Sequence, residues 1–259
     1  MVDGTEAGAD SGDPRLPTAW GGRALSGVRL VRGELATLMR SNPVSALLVA
    51  LVPLSVLFSA LGSVSQSADA ALAVVAEDQR AAFGIGCIVI VVVGALSGSS
   101  RVTRSSGTPG RARSARIIAV GLLAWTVGVV SSLLAAVPPV GRGGWLSASE
   151  LQSVLVTALG VATAWSAFAL IACCIGGMLR RTALAVTLSV LVLVVLPVLA
   201  DVVFALHGLT RFLPFSAAFA IAAPDVVGSP ERGMLVLGAW VVVSVLLRVG
   251  LERRAPRRG

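Results

Sequence analysis

Few side chains in this sequence have the type and spacing that catalysis requires. The single histidine, His207, lies six residues after Asp201, and no Ser or Cys is placed to complete a catalytic triad with this pair. Paired carboxylates, an H-E-x-x-H motif and Cys/His clusters with metal-ligand spacing are missing from the sequence. Cys87, Cys173 and Cys174 fall within apolar runs and are typical of buried structural cysteines. We therefore expect no enzyme activity and no metal site in this chain.

The basic residues restrict the energy sources that the chain can use. The sequence contains no lysine, so all 21 basic residues are arginines. A phosphate-binding loop of the Walker type needs a lysine that reaches the β- and γ-phosphates of ATP. We therefore expect no nucleotide cofactor in this chain, and any use of ATP would require a separate ATP-binding subunit.

The composition predicts an integral membrane protein. Of the 259 residues, 56% are hydrophobic and 13% are charged, and the mean hydropathy is +0.89. A soluble domain has about 25% charged residues. Because a water-soluble fold cannot bury so much apolar surface, we expect this chain to work within or across a bilayer.

Six apolar stretches are candidates for spans, since a helix needs about 20 mostly apolar residues to cross a hydrocarbon core about 30 Å thick. They are Asn42–Gly62, Ala81–Gly98, Ile117–Val137, Val154–Leu179, Thr182–Ala200 and Gly233–Leu251. Arg248 interrupts the last stretch, and its side chain is expected to snorkel to the headgroups. Pro53 and Pro197 are expected to be tolerated within their spans. The predicted fold class is an all-α integral membrane protein with six transmembrane helices.

The arginines are concentrated on one side of this predicted bundle. The segments before span one, between spans two and three, between spans four and five, and from Arg248 onwards hold 17 of the 21 arginines. The other four are Arg80, Arg142, Arg211 and Arg232. Because short arginine-rich loops stay cytoplasmic, both termini are predicted to be cytoplasmic. The arginine-only usage is typical of a high-GC bacterial genome, so we expect a multi-pass protein of a bacterial cell membrane.

Two segments are predicted to lie on the membrane rather than across it. In the first, Leu25–Met39, apolar residues recur on one face of a helix. Arg29, Glu34 and Arg40 are predicted to lie away from that face, as in an interfacial elbow helix. The second, Phe212–Ala223, offers twelve uncharged residues and is too short to cross, so it is predicted to be re-entrant or interfacial. The expected domains are a disordered cytoplasmic tail (residues 1–22), the six-span domain (23–251) and a basic cytoplasmic tail (252–259).

The centres of the predicted spans contain almost no ionisable groups. Carriers coupled to protons or sodium usually keep carboxylates, histidines or broken helices at mid-membrane, so this pattern favours an external energy source. Trp125, Trp165 and Trp240 lie near the middle of three spans rather than at the interfaces. They either line a cavity for apolar or amphipathic substrates or pack helices together. Close helix contacts are predicted at Gly84 and Gly86 in the second span and at the small-xxx-small pair Gly160 and Ala164.

The order of these elements resembles the permease subunits of ABC transporters of the ABC-2 type, which are common among drug, antibiotic and peptide exporters. The resemblance covers roughly residues 23–250. The segments that carry it are the arginine-bearing elbow Val28–Arg40, the span ending Val93-Gly94-Ala95-Leu96 with the following Gly107-Thr108-Pro109, the turn Gly176-Gly177-Met178-Leu179-Arg180-Arg181-Thr182-Ala183, and the Leu-Pro segments Leu196-Pro197 and Phe212-Leu213-Pro214.

The resemblance implies a transport subunit that has no ATPase site of its own. Two such six-span units, identical or homologous, would face each other in the bilayer. Each would engage a separate ATP-binding subunit through its elbow and its loop between the second and third spans. The residues implied for that contact are Arg29, Arg32, Arg101, Arg104, Arg111 and Arg113. Anchoring of the orientation by positive charge also explains the loop arginines, and anionic lipid headgroups are a further partner for them.

Two other functions stay open at this point. A secondary carrier would need a polar or broken-helix site at mid-membrane. A non-transporting scaffold or sensor component would need no pathway across the membrane. Nucleic acid is not an expected partner of any of the three.

Overall fold

The computed structural model describes residues 19–40, 71–99, 109–135, 148–179, 181–202, 210–222 and 229–254, together with residues 44–48, 50, 51, 53, 54 and 57. The regular elements within these ranges are all helical, as predicted. They are α1 (Ala19–Arg40), α2 (Ala71–Ser99), α3 (Pro109–Ala135), α4 (Ala148–Leu179), α5 (Thr182–Val190), α6 (Leu196–Val202), α7 (Pro214–Ala222) and α8 (Pro230–Arg254), with a π-helical turn, Leu191–Val195, between α5 and α6.

Three of the described helices are long and apolar enough to cross a membrane. They are Ala112–Ala135 in α3, Leu151–Leu179 in α4, and Pro230–Arg254, which is all of α8. These helices have 24 to 29 residues. At a rise of about 1.5 Å per residue, each is longer than the thickness of a hydrocarbon core, about 30 Å. Phe83–Ser99 and Thr182–Val195 are apolar but shorter. The described chain therefore contains three candidate spans, and the predicted total of six is not reached among these residues.

Helix α4 is the centre of the bundle. It packs against α2, α3, α5, α7 and α8. Of its most apolar stretch, 56% is buried, compared with 39% for α3 and 17% for α8. Large apolar side chains of α8, such as Leu235 and Leu246, remain exposed. Such a surface suits a bilayer, because lipid tails are as apolar as leucine.

Small residues allow the helices to approach closely. The indole ring of Trp165 on α4 fills the space that a side chain at Gly86 on α2 would occupy. A Cβ at Gly160 would lie 2.5 Å from the backbone oxygen of Ile221 on α7. The predicted close contacts at Gly86 and Gly160 are confirmed, whereas the one predicted at Gly84 is wrong, because a Cβ there would meet nothing within 4 Å. In a membrane such backbone approach supplies much of the packing energy between helices.

The fifth apolar stretch is continuous but not uniform. Pro197 has no backbone N–H to donate, which would normally break or kink an α-helix. The π-helical turn Leu191–Val195 comes directly before the turn that contains Pro197, and α6 continues to Val202. Pro197 and Leu193 are buried. The helix therefore accommodates the proline with a single π-helical turn, which is the usual form of π-helix inside an α-helix.

The predicted elbow is helical, but the role of one charged residue was predicted wrongly. Val31 and Leu35 pack against the core and Leu38 is buried, as the apolar pattern predicts. Glu34, however, is 7% exposed and faces the bundle instead of lying away from it. The helix begins at Ala19, within the segment expected to be a disordered tail.

The second predicted membrane-surface segment contains a short helix, α7. Its nine residues rise about 13 Å, too little to cross a bilayer. Residues Pro214, Ala217 and Ile221 are buried, and the helix packs against α4 and α8. Phe83 of α2 lies with its ring centroid 6.2 Å from the centroid of Phe215 and 6.2 Å from that of Phe219. α7 is therefore part of the packed bundle.

Candidate functional site

Five charged side chains form two groups of ion pairs at one end of the bundle, and we call them the charged cluster. Its members are Glu34 of α1, Arg113 and Arg116 of α3, and Arg248 and Glu252 of α8. The cluster lies where α3 begins and where α2 and α8 end. At the same end, the hydroxyl groups of Ser99 on α2 and Thr182 on α5 lie 3.3 Å apart. This end is the one that the distribution of arginines predicts to be cytoplasmic.

A buried ion pair joins the elbow helix to α3. The Nε atom of Arg116 donates to Oε2 of Glu34 at 3.0 Å, and the two side chains are 6% and 8% exposed. Nη1 of Arg116 also donates to the backbone oxygen of Ser97 on α2, at 3.4 Å. Burying a charge is costly unless it is paired and hydrogen-bonded. The pairing therefore fixes α1 against the ends of α2 and α3.

A second ion-pair chain joins α3, α4 and α8. Nη1 of Arg113 lies 3.0 Å from Oε2 of Glu252, and Nε of Arg248 donates to Oε1 of the same carboxylate at 3.4 Å. Nη1 of Arg248 donates to the backbone oxygen of Cys173 on α4 at 3.2 Å. Arg248 is 8% exposed, so the expectation that it snorkels to the headgroups is wrong. One partner, the backbone oxygen of Cys173, lies inside the bundle, and the other, Glu252, lies at its edge with 38% of its side chain exposed.

The position of Arg248 depends on a glycine in the neighbouring helix. A Cβ atom at Gly177 on α4 would lie 2.6 Å from Cζ of Arg248. No real side chain tolerates a contact of that length, so α8 can bring Arg248 onto α4 only because residue 177 has no side chain. The turn sequence Gly176-Gly177 thus has a packing role at this site.

The arginines predicted to contact an ATP-binding subunit occupy different environments. Arg29 and Arg32 are exposed on the elbow helix. Arg113 belongs to the charged cluster, with 44% of its side chain exposed. Arg111 lies in the first turn of α3, and its side chain is outside the described residues, as are Arg101 and Arg104. Of the predicted contact residues, Arg113 therefore lies in the charged cluster. Arg116, which was not predicted as a contact residue, lies there too.

Two signals in the sequence point to cluster members that the sequence analysis missed. Glu34 lies three residues after Val31 and four before Leu38, so helical spacing puts it on the buried face. Arg248 and Glu252 are separated by four residues, the spacing at which oppositely charged side chains meet on a helix. The contact of Arg248 with Cys173 has no such local signal, because 75 residues separate the two along the chain.

The three predicted cavity tryptophans do not share one environment. Trp165 is 1% exposed and packs inside the bundle, whereas Trp125 is 38% exposed on the outside of α3. Trp240 is half-buried, and its Nε1 donates to the backbone oxygen of Phe212 at 3.0 Å. Trp165 and Trp240 therefore make packing contacts within the protein. A role for any of the three in lining a substrate pathway stays a prediction.

Acidic, histidine and cysteine side chains do not gather into a metal site among the residues that the structure describes. These residues contain no group of three or more His, Cys, Asp or Glu side chains placed to hold a metal ion. His207 lies outside the described residues, and so does the side chain of Asp201. The charged cluster is therefore the candidate functional site that the geometry supports best. No family model matches this chain, and no curated protein matches it.

Proposed function

We propose that this chain is the membrane-spanning permease subunit of an ATP-driven exporter of the ABC-2 type. In this proposal the chain crosses a bacterial cell membrane six times with both termini in the cytoplasm. It pairs with a second permease unit and moves an apolar or amphipathic substrate. A separate ATP-binding subunit supplies the energy.

The observation that carries the proposal is the buried ion pair between Glu34 and Arg116. It attaches the elbow helix to the ends of α2 and α3 and leaves Arg29 and Arg32 on the exposed side of the elbow. A partner that binds these exposed arginines would move the elbow and, through it, two apolar helices. Such an attachment favours a chain that receives mechanical work from outside the bilayer.

The charged cluster also favours a rigid rather than a loosely hinged end. Arg113, Arg248 and Glu252 link α3 to α8, and Arg248 links α8 to α4. Because the five charges are distributed over three helices and bond to two more, a displacement of one helix end is shared by its neighbours. This arrangement supports coupling between a cytoplasmic partner and the spans.

The first test is the purification of the tagged full-length chain in mild detergent and identification of the proteins that remain bound. We expect an ATP-binding subunit, and we expect transport by the reconstituted complex to require ATP and to survive collapse of the proton gradient. Transport by the chain alone, driven by a pH gradient, would instead establish a secondary carrier. A complex with no ATPase and no transport would favour a scaffold or sensor component.

Charge-neutralising variants test the docking surface itself. An exposed ion pair contributes about 0.2–1 kcal/mol, so single changes are too weak and combined changes are the fair comparison. Two combined variants cover the elbow and the loop: R29Q/R32Q and R101Q/R104Q/R111Q/R113Q. We expect each to reduce recovery of the ATP-binding subunit severalfold while insertion stays normal. R257Q/R258Q at the end of the chain is the control and should recover it as well as the unmodified protein. Unchanged recovery in both combined variants would show that these arginines only anchor the orientation.

A further inference from the structure

A groove runs along the outer face of α8 towards the end of the bundle that holds the charged cluster. Its volume is about 350 Å³, and it is lined by Val243, Leu246, Leu247, Gly250, Leu251 and Arg254, all of α8. The four large apolar side chains in this lining are 48% to 63% exposed. A Cβ atom at Gly250 would meet nothing within 4 Å, so the groove is open above the backbone of this residue. We call this surface the α8 groove.

The α8 groove points away from the bundle and has the length of one lipid leaflet. Ser244 and Arg248 are buried against the bundle, and helical spacing puts the groove residues on a different side of α8. From Val243 to Arg254 the helix rises about 16 Å, at about 1.5 Å per residue. The acyl layer of one leaflet is half of a hydrocarbon core of about 30 Å. An acyl chain of one leaflet therefore matches the groove in length.

A cation lies at one end of the α8 groove. Arg254 is exposed in the last turn of α8, directly after the apolar part of the lining. The carboxylate of Glu252 is directed elsewhere, because it pairs with Arg113 and Arg248 of the charged cluster. A guanidinium can donate two parallel hydrogen bonds to the oxygens of a phosphate. An apolar groove that ends at such a group matches a phospholipid, in which an acyl chain is joined to an anionic phosphate.

Charge and depth favour a lipid over a protein as the occupant. Two copies of this chain inserted the same way round and facing each other across the groove would bring their Arg254 side chains together, and like charges repel. A cytoplasmic protein could reach Arg254 but not the apolar residues at the depth of the hydrocarbon core. The arginine distribution also predicts that this end of α8 lies at the cytoplasmic leaflet, where anionic lipids make the surface negative.

We propose that the α8 groove binds an anionic phospholipid of the leaflet at this end of the bundle. Arg254 donates to the headgroup phosphate, and one acyl chain lies along α8 from Leu251 to Val243. The chain passes over Gly250, where the missing side chain leaves the groove open. The proposal needs α8 to span a bilayer but does not depend on the transport function.

Native mass spectrometry of the full-length chain tests both parts of the site. The protein is released from vesicles of phosphatidylglycerol mixed with a neutral galactolipid, and the retained phosphatidylglycerol is counted per chain. We expect R254Q to retain about tenfold less than the unmodified protein, as loss of charge-assisted hydrogen bonds predicts. R181Q removes an exposed arginine at the same end of the bundle, next to α5, and should retain the lipid.

Leucine at two open glycines of α8 tests the acyl-chain part. G250L fills the groove and keeps every charge, so we expect severalfold less retained phosphatidylglycerol. G238L is the matched control, because Gly238 is exposed on the same helix outside the groove and a Cβ there also meets nothing within 4 Å. It should retain as much lipid as the unmodified protein.

The remaining outcomes separate this site from simpler explanations. In pure galactolipid, G250L and R254Q should unfold at no lower temperature than their controls, which shows that lost retention is not lost folding. The proposal is wrong if G250L retains as much phosphatidylglycerol as G238L, since the groove would then hold no acyl chain. Equal retention by R254Q and R181Q would overturn it too, because any arginine at this end would then serve. A dimer in the mass spectrum that G250L abolishes would instead identify a second copy as the occupant.

Discussion

Arg116 and Glu34 form an ion pair of 3.0 Å although 82 residues separate them along the chain. The pair is buried, and Arg116 reaches a third helix through the backbone oxygen of Ser97. A helix that lies on a membrane by its apolar face alone can slide or rotate. This pair instead fixes the elbow at one position, so the elbow and the spans behave as one body.

Removal of one member of this pair should destabilise the protein far more than removal of an exposed arginine on the same helix. We expect R116Q to cost about 3–5 kcal/mol of unfolding free energy, because it leaves Glu34 buried and unpaired. R113Q, whose side chain is 44% exposed, should cost about 1 kcal/mol or less. Denaturant unfolding in detergent micelles measures both.

The double variant E34M/R116M separates pairing from packing. Replacing a buried ion pair by apolar side chains of similar volume is often neutral or stabilising, so the double variant should be more stable than R116Q. If it is no more stable, shape rather than charge holds the elbow.

Alanine at three glycines should produce graded effects, because the three sites differ in what a Cβ would meet. At Gly98 the obstacle is the backbone of Cys173, which cannot move aside, so we expect the largest loss, about 1–3 kcal/mol or more. At Gly177 the obstacle is the Arg248 guanidinium, which can swing away at the loss of its bond to Cys173. At Gly238 nothing lies within 4 Å, so alanine should be neutral or stabilise by up to about 1 kcal/mol through helix propensity.

A double-mutant cycle tests whether the destabilisation by G177A arises from the displaced side chain of Arg248. R248Q should cost less in the G177A background than in the unmodified protein, because the same contact is lost in both. Additive costs would show that Gly177 acts independently of Arg248.

Truncation of Trp165 should cost far more stability than truncation of Trp125. W165A empties a site that is 1% exposed at the centre of the bundle and should cost about 3–5 kcal/mol. W125A removes a side chain that is 38% exposed on the outside of α3 and should change stability by about 0.5 kcal/mol or less. Thermal unfolding compares the two. Equal losses would mean that Trp125 is covered by a partner in the intact protein.

The predicted orientation can be tested by cysteine labelling in a background in which the three native cysteines are replaced. The arginine distribution predicts that an external reagent reaches cysteines at Asp69 and Trp145 in intact cells and does not reach those at Ser106 and Pro256. The two protected positions should become reactive after the membrane is opened. Labelling of Ser106→Cys in intact cells would refute the six-span topology and the cytoplasmic placement of the charged cluster.

Local patterns predicted that the described elements are helical, but only three of the described helices are long and apolar enough to be spans, against the six predicted. The apolar runs predicted helices. The absence of lysine and the absence of a metal-binding cysteine spacing are read directly from the sequence. The short segment before α8 was predicted not to cross a bilayer, because twelve uncharged residues are too few. These properties follow from helical period and length, which are set within a few turns of the chain. The helix of the elbow and its buried face were predicted in the same way, from the spacing of Val31, Leu35 and Leu38.

Tertiary structure decided which charges are buried and which residues they meet. A helical pattern shows that Glu34 shares a face with Leu38. It does not show that Arg116 of another helix contacts that face and pairs with Glu34. Arg248 was expected to turn outward, because an unpaired charge in a span favours the headgroups. It turns inward because Gly177 leaves room, Cys173 offers a carbonyl and Glu252 offers a carboxylate. Since a buried charge is stable only with partners from other helices, its position depends on how the whole bundle packs.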